Sequence, residues 1–252
     1  MVIKFNKNEY NFPQGSECQF KPLIGISYSD FKNVFLFAYE MILGKGYHRN
    51  NRSGGSFKRN VNILLTNVIE GKLGEVCVYR EFLKNGIDIG YPDMSVMGVN
   101  KWDNSDINYK NIKMSVKTSK SYARMMLLEE NDYSISKSSN KVIYKPNKEI
   151  VDVFIFTRIK SNIINVIKEM SDISCNDKYI ESLYKKALIR FDQPCYVNNK
   201  DISNVIKHKM ILPKGVFLNG KTKIDANNYY LFVKDMKPIV NLYNIIKKYY
   251  MI

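Results

Sequence analysis

At Asn85-Gly86 the hydrophobic period of the chain changes, and that change constrains the fold more than any other feature. Before it, Val61, Leu65, Val68, Leu73, Val76 and Leu83 recur near helical spacing, which predicts a helix over 61–84 that ends at the Asn-Gly pair. After it, short runs rich in Ile, Val and Phe at 87–97, 106–109, 112–118 and 151–159 are separated by turn residues, the mark of four strands in one sheet. A long helix that feeds a set of strands implies an α/β domain, a central mixed sheet flanked by helices.

The flanking segments fit that frame. Ser29 is placed to cap a helix from Asp30 to a stop at Gly44, and because this helix is apolar nearly all round it is expected to be buried. Residues 120–128 carry clustered apolar side chains and lean toward strand, and 134–140 (S-I-S-K-S-S-N) is expected to be a loop. Beyond 160 the pattern is mixed: a helix near 178–189, a hairpin-like pair at 215–232 around Asn219-Gly220, and an apolar-basic helix at 240–250. The expected organisation is N-terminal helices plus a sheet-containing core within 1–160 and an extension over 161–252, packed with the core as one unit.

Charge narrows the partner. Thirty-nine Lys and Arg against 24 Asp and Glu leave a formal charge of +15, which points to a polyanion, with nucleic acid first. The basic segment 48–60, H-R-N-N-R-S-G-G-S-F-K-R-N, sets Arg49, Arg52, Lys58 and Arg59 around a Gly pair and is expected to meet phosphates. Its His48 has no base–nucleophile partner, and Trp102 reads as core or surface filling. Longer apolar stretches such as 34–43 fall short of a membrane span, and residues 1–12 do not form an apolar leader, so a cytoplasmic protein is expected. Cys18, Cys77, Cys175 and Cys195 are widely spaced and read as reduced, mostly buried thiols instead of a zinc site.

The chemistry concentrates in W-D-N-S-D-I-N-Y-K-N-I-K-M-S-V-K-T-S-K, residues 102–120. A turn near Lys110-Asn111 makes the flanking strands antiparallel, so Asp106 returns beside Ser115 to Lys117. Alternation puts Lys113, Ser115 and Lys117 on one face and Met114 and Val116 on the other. A carboxylate and a lysine on one face are what phosphodiester hydrolysis asks for: oxygen ligands for a hard divalent cation, next to a side-chain cation that orients water.

Over 47–160 the chain resembles the PD-(D/E)xK nuclease superfamily and, more narrowly, type II restriction endonucleases. The resemblance rests on the order H-R-N-N-R-S-G-G, G-K-L-G-E on a helix, Y-P-D, W-D-N-S-D-I, S-V-K-T-S-K, M-L-L-E-E and V-F-I-F-T-R-I-K. It implies a restriction-endonuclease-like core with Asp106 in the metal-binding aspartate position and Lys117 in the lysine position. The family's second carboxylate, two residues before the lysine, is here Ser115, so another acid must replace it. Glu75 is favoured, on a helix that Gly71 and Gly74 would let approach the sheet; Glu129 or Glu130, in the element after the lysine, are the alternatives.

The implied mechanism has Asp106, one of those acids and the Val116 carbonyl hold Mg2+, Lys117 position or deprotonate the attacking water, and Ser115 at most hydrogen-bond a metal-bound water. Double-stranded DNA is the expected substrate, Lys120 joins the expected DNA contacts, and a palindromic site would call for a homodimer. A DNA-binding protein that keeps the fold without cleaving, and a nuclease acting on branched DNA or RNA, are the alternatives.

Overall fold

The computed structural model describes residues 9–12, 18–23, 25–46, 54–96, 105–170 and 172–250. The chain begins with β1 (Glu9–Tyr10), α1 (Tyr28–Leu43) and α2 (Val61–Lys84). Then come β2 (Ile107–Tyr109), β3 (Ile112–Lys120), β4 (Met125–Glu129), a 3-10 turn (Glu130–Asp132), β5 (Tyr133–Ile135), β6 (Val142–Tyr144), β7 (Glu149–Ile150) and β8 (Val153–Ser161). Helices α3 (Ile163–Glu169) and α4 (Asp177–Lys186) lead to β9 (Ile189–Asn198) and α5 (Asn199–Lys207). The chain continues through β10 (Ile211–Leu212), β11 (Phe217–Leu218), β12 (Thr222–Lys223), β13 (Asn228–Phe232), β14 (Lys237–Pro238) and α6 (Ile239–Tyr250).

The architecture is mixed α/β. A five-stranded sheet in the order β14-β9-β8-β3-β2 forms its centre, with β3 and β8 parallel and the other neighbours antiparallel. Helix α2 covers one face. Gly74 lies so close to β3 and β8 that a Cβ there would overlap Thr118 Oγ1, which is itself hydrogen-bonded to Thr157 Oγ1 at 2.8 Å. Gly71 has no such neighbour, so Gly74 alone carries the close approach. On the same face Val78 and Phe82 pack with Met114 and Val116, and Lys120 donates to both Glu70 oxygens.

The opposite face is roofed by β strands. Phe154 and Phe156 of β8 pack with Met126 and Leu128 of β4 and with Tyr133 of β5. Strand β4 belongs to a second sheet, β10-β13-β4, and β5-β6-β7 form a third. The chain after 160 contributes β9 and β14 to the central sheet, so it is built into the core instead of being appended to it.

Several local expectations need correction. No strand forms over 87–96, although Ile87 and Ile89 are buried; residue 97 lies outside the described residues. Gly86 and Gly90 take positive φ, and the Asp88 and Asp93 carboxylates accept from the Gly90 and Ser95 amides at 3.0 and 2.8 Å. These turns remove the backbone from any ladder. Helix α1 is capped by Ser27, whose hydroxyl accepts from the Asp30 amide at 3.1 Å, and not by Ser29. It buries one face only, since Leu36 and Leu43 are exposed. The segment expected as a loop at 134–140 starts as strand, with β5 running to Ile135 before the turn.

Helix α4 ends at Lys186, and Ile189 already opens β9, a strand hidden in the sequence by Asp192, Gln193 and Pro194. Asp192 is tolerated in the interior because Arg158, also buried, pairs with it at 2.5 and 3.0 Å. Asn219 and Gly220 do turn a hairpin with positive φ at both, but it joins β11 and β12 only; β13 belongs to the sheet with β4. Two cysteines, Cys77 and Cys195, are buried; Cys175 is exposed, Cys18 half-buried, and none is paired.

Candidate active site

The β2–β3 hairpin carries the site. Lys110 and Asn111 both take positive φ, the two-residue turn whose twist matches antiparallel strands, and the register pairs Ile107 with Met114 and Asn108 with Lys113. One step further out, Asp106 stands opposite Ser115, on the face that also carries Lys117. The ladder stops there, and the Asp106 side chain completes it. Its Oδ2 accepts from the Val116 amide at 2.6 Å and from the Ser115 hydroxyl at 3.0 Å.

This geometry gives Ser115 a definite part. Expected to touch at most a metal-bound water, it instead donates to Asp106 and helps fix that carboxylate's orientation. It also bears on Val116. The amide and carbonyl of one strand residue point to the same edge, so the Val116 carbonyl faces the β2 side where Asp106 sits.

Lys117 is half-buried, with its ammonium over the Tyr133 ring at 5.7 Å from the centroid. Burial by itself disfavours the charged form, but Tyr133 and the Asp106 carboxylate, with Tyr144 behind, outweigh it and hold Lys117 above the ordinary lysine range. Tyr133 is buried against Tyr144 and Phe154, with ring centroids 5.5 and 5.7 Å away. The reading of the sequence missed this aromatic roof, because β5 to β7 are two or three residues long and show no period.

The acids proposed as the second carboxylate fall in different layers. Glu75 belongs to α2, the helix on the far face of β3, where it pairs with the buried Lys72 at 2.7 Å. Glu129 ends β4, whose Met126 and Leu128 pack on the Lys117 side, so alternation turns Glu129 with Met125 and Leu127 to the other side. Glu130 follows it and accepts from Asn227 Nδ2 at 3.0 Å. An acid on the Lys117 side, Glu149, pairs with Lys113 at 2.6 Å, two residues from Ser115. Among the described residues no three acidic, histidine or cysteine side chains gather as a metal-binding group, so no three-carboxylate cluster surrounds Asp106.

The expected DNA contacts are placed unevenly. Arg49 and Arg52 lie outside the described residues, as do His48 and Trp102. Lys58 is exposed and Arg59 half-buried, in an extended segment that leads into α2. Lys120 directs its ammonium to Glu70 at 2.6 and 2.7 Å while its side chain remains 45% exposed. Among the described residues no helix is long and apolar enough to cross a membrane. No family model matches the chain, and neither a curated protein nor a solved structure is found similar to it.

Proposed function

We propose that this chain is a type II restriction endonuclease that hydrolyses phosphodiester bonds of double-stranded DNA at a specific sequence with magnesium, working as a homodimer. The observation that carries the reading is the Asp106 carboxylate, fixed at the open end of the hairpin by Ser115 and Val116, with the Lys117 ammonium on the same face. The charge of +15 supplies the attraction to a polyanion.

The donors on that edge fit magnesium. It is commonly held by one or two carboxylates and keeps several waters, and Asp106 with the Val116 carbonyl offers hard oxygens without a full protein cage. Bound there, the ion would supply Lewis acidity to the scissile phosphate and acidify a water. Asp106 would hold it and Ser115 would keep Asp106 in place. Lys117, held protonated by its surroundings, would act as a cation that orients the attacking water and offsets charge on the phosphate, in preference to deprotonating that water. For the second carboxylate Glu149, paired with Lys113 on the Lys117 face, is favoured over Glu75 across the sheet and over Glu129, which alternates to the far side of β4.

Phage-sized DNA incubated with magnesium tests the proposal. Discrete, reproducible fragments are expected; a smear means cleavage without sequence preference. Calcium, which accepts the same oxygens with looser geometry, should support binding but little cleavage. Efficient cleavage in chelating buffer would remove the metal from the mechanism. One observation favours a second reading, a DNA-binding protein on this frame without turnover: Ser115 stands where a second carboxylate is expected. It predicts binding and intact DNA.

A further inference from the structure

The segment before α2 is clamped to the C-terminal part of the chain. Asp225 Oδ1 accepts from the Ser56 and Phe57 amides at 3.2 and 3.1 Å, and Lys214 Nζ approaches the Gly54 carbonyl at 3.4 Å. Gly54 takes φ +76°, and a Cβ there would stand 2.6 Å from Asn131 Nδ2. Asn227 links the remaining sides, since its Oδ1 accepts from the Lys214 amide at 2.8 Å and its Nδ2 donates to Glu130 at 3.0 Å. Three stretches, 54–57, 130–131 and 214–227, therefore form one surface. It adjoins the site, because Asn131 is two residues from Tyr133, over which Lys117 lies.

The charges of this surface are sorted. Its own acids are occupied, Asp225 by two amides and Glu130 by Asn227, while Glu9 of β1 lies exposed beside the hairpin at Gly220. Its cations face outward: Lys58 is exposed, and Lys221 and Lys223 extend along the β11–β12 hairpin. Between the pinned amides and Lys58 the Phe57 ring is 60% exposed, although an apolar side chain of that size gains nothing from water. Asp225 fixes the backbone on which the ring stands, so less backbone ordering remains to be lost on binding.

We propose that this composite surface binds duplex DNA beside the Asp106–Lys117 site, with Lys58 and Lys214 on phosphates and Phe57 inserted against a base step. The proposal rests on the nuclease reading for its choice of polyanion. It also gives the C-terminal part a role in recognition that it shares with the segment before α2. A ring between cations is the arrangement by which proteins hold a strand electrostatically and wedge or stack on its bases.

The two kinds of contact leave different signatures in fluorescence anisotropy with a labelled DNA duplex, titrated at several salt concentrations in metal-free buffer so that no cleavage intervenes. Lys58→Ala and Lys214→Ala should each flatten the log–log salt dependence by about one unit, and the double variant by about two. Phe57→Ala should weaken binding about five- to a hundredfold with the salt slope unchanged, because the ring carries no charge. Lys178→Ala, exposed at the start of α4, is the control and should change neither. Wild-type melting temperatures for the Lys58 and Phe57 variants would confirm that the fold is intact. If the wild type binds duplex but all three replacements leave affinity and slope as they were, the surface is wrong while the nuclease reading stands. No wild-type binding to duplex even at low salt would overturn both, and preference for single-stranded RNA of equal length would overturn the choice of partner.

Discussion

The two faces of β3 are made by one nine-residue strand, yet they are built for different ends. Toward α2 stand Met114 and Val116, buried in apolar contact, then Thr118 locked to Thr157 and covered by Gly74. Toward the β roof stand Lys113, Ser115 and Lys117, each facing a polar partner: Glu149, Asp106 and Tyr133. The first face gains by excluding water around Met114 and Val116. The second keeps charged groups half-buried, where their fields are less screened than in water. A strand that is core on one side can thus hold a carboxylate and an ammonium rigidly on the other.

Separating the faces by mutation sharpens the contrast. The largest effect is expected from Asp106→Ala and Lys117→Ala, each lowering cleavage about 10²–10⁴-fold with little change in melting temperature. Retained turnover within about tenfold, roughly 1.4 kcal/mol of barrier, would take that residue out of the mechanism. Next comes a parallel series of Glu75→Gln, Glu129→Gln, Glu130→Gln and Glu149→Gln under magnesium. The larger loss is expected at Glu149, the acid paired on the Lys117 face; a loss confined to Glu129 or Glu130 would mean that the turn after β4 brings its acid back to the site, one confined to Glu75 that the helix acid reaches around the sheet edge, and four normal rates would show that no second carboxylate is used.

On the α2 face, Gly74→Ala should cost about 1–3 kcal/mol of stability, read by urea denaturation, because the added methyl meets Thr118 Oγ1 on a packed strand. A neutral result would show that α2 can move away from β3. The smallest effect is expected from Tyr133→Phe, followed by NMR titration of the Lys117 side chain. Lys117 is raised above the ordinary lysine range, so its charge persists below that raised value and is lost as pH rises through it. Without the Tyr133 hydroxyl, burial weighs more and the titration should move to lower pH; an unmoved titration would leave Asp106 as the group that holds the ammonium.

Local pattern fixed α2 to the residue, the turn at Lys110-Asn111, the alternation along β3 and the return of Asp106 to Ser115. Each depends on contacts close along the chain, where helical period, turn chemistry and strand alternation act directly. Tertiary structure decided which layer each acid joins, that β9 enters the central sheet through the Arg158–Asp192 pair, and that Tyr133 lies over Lys117. It also brought residues 54–57 against Asp225, some 170 positions away. The physical reason is the same throughout: a buried charge or a two-residue strand is stable only through partners distant in sequence, and no local period encodes those partners.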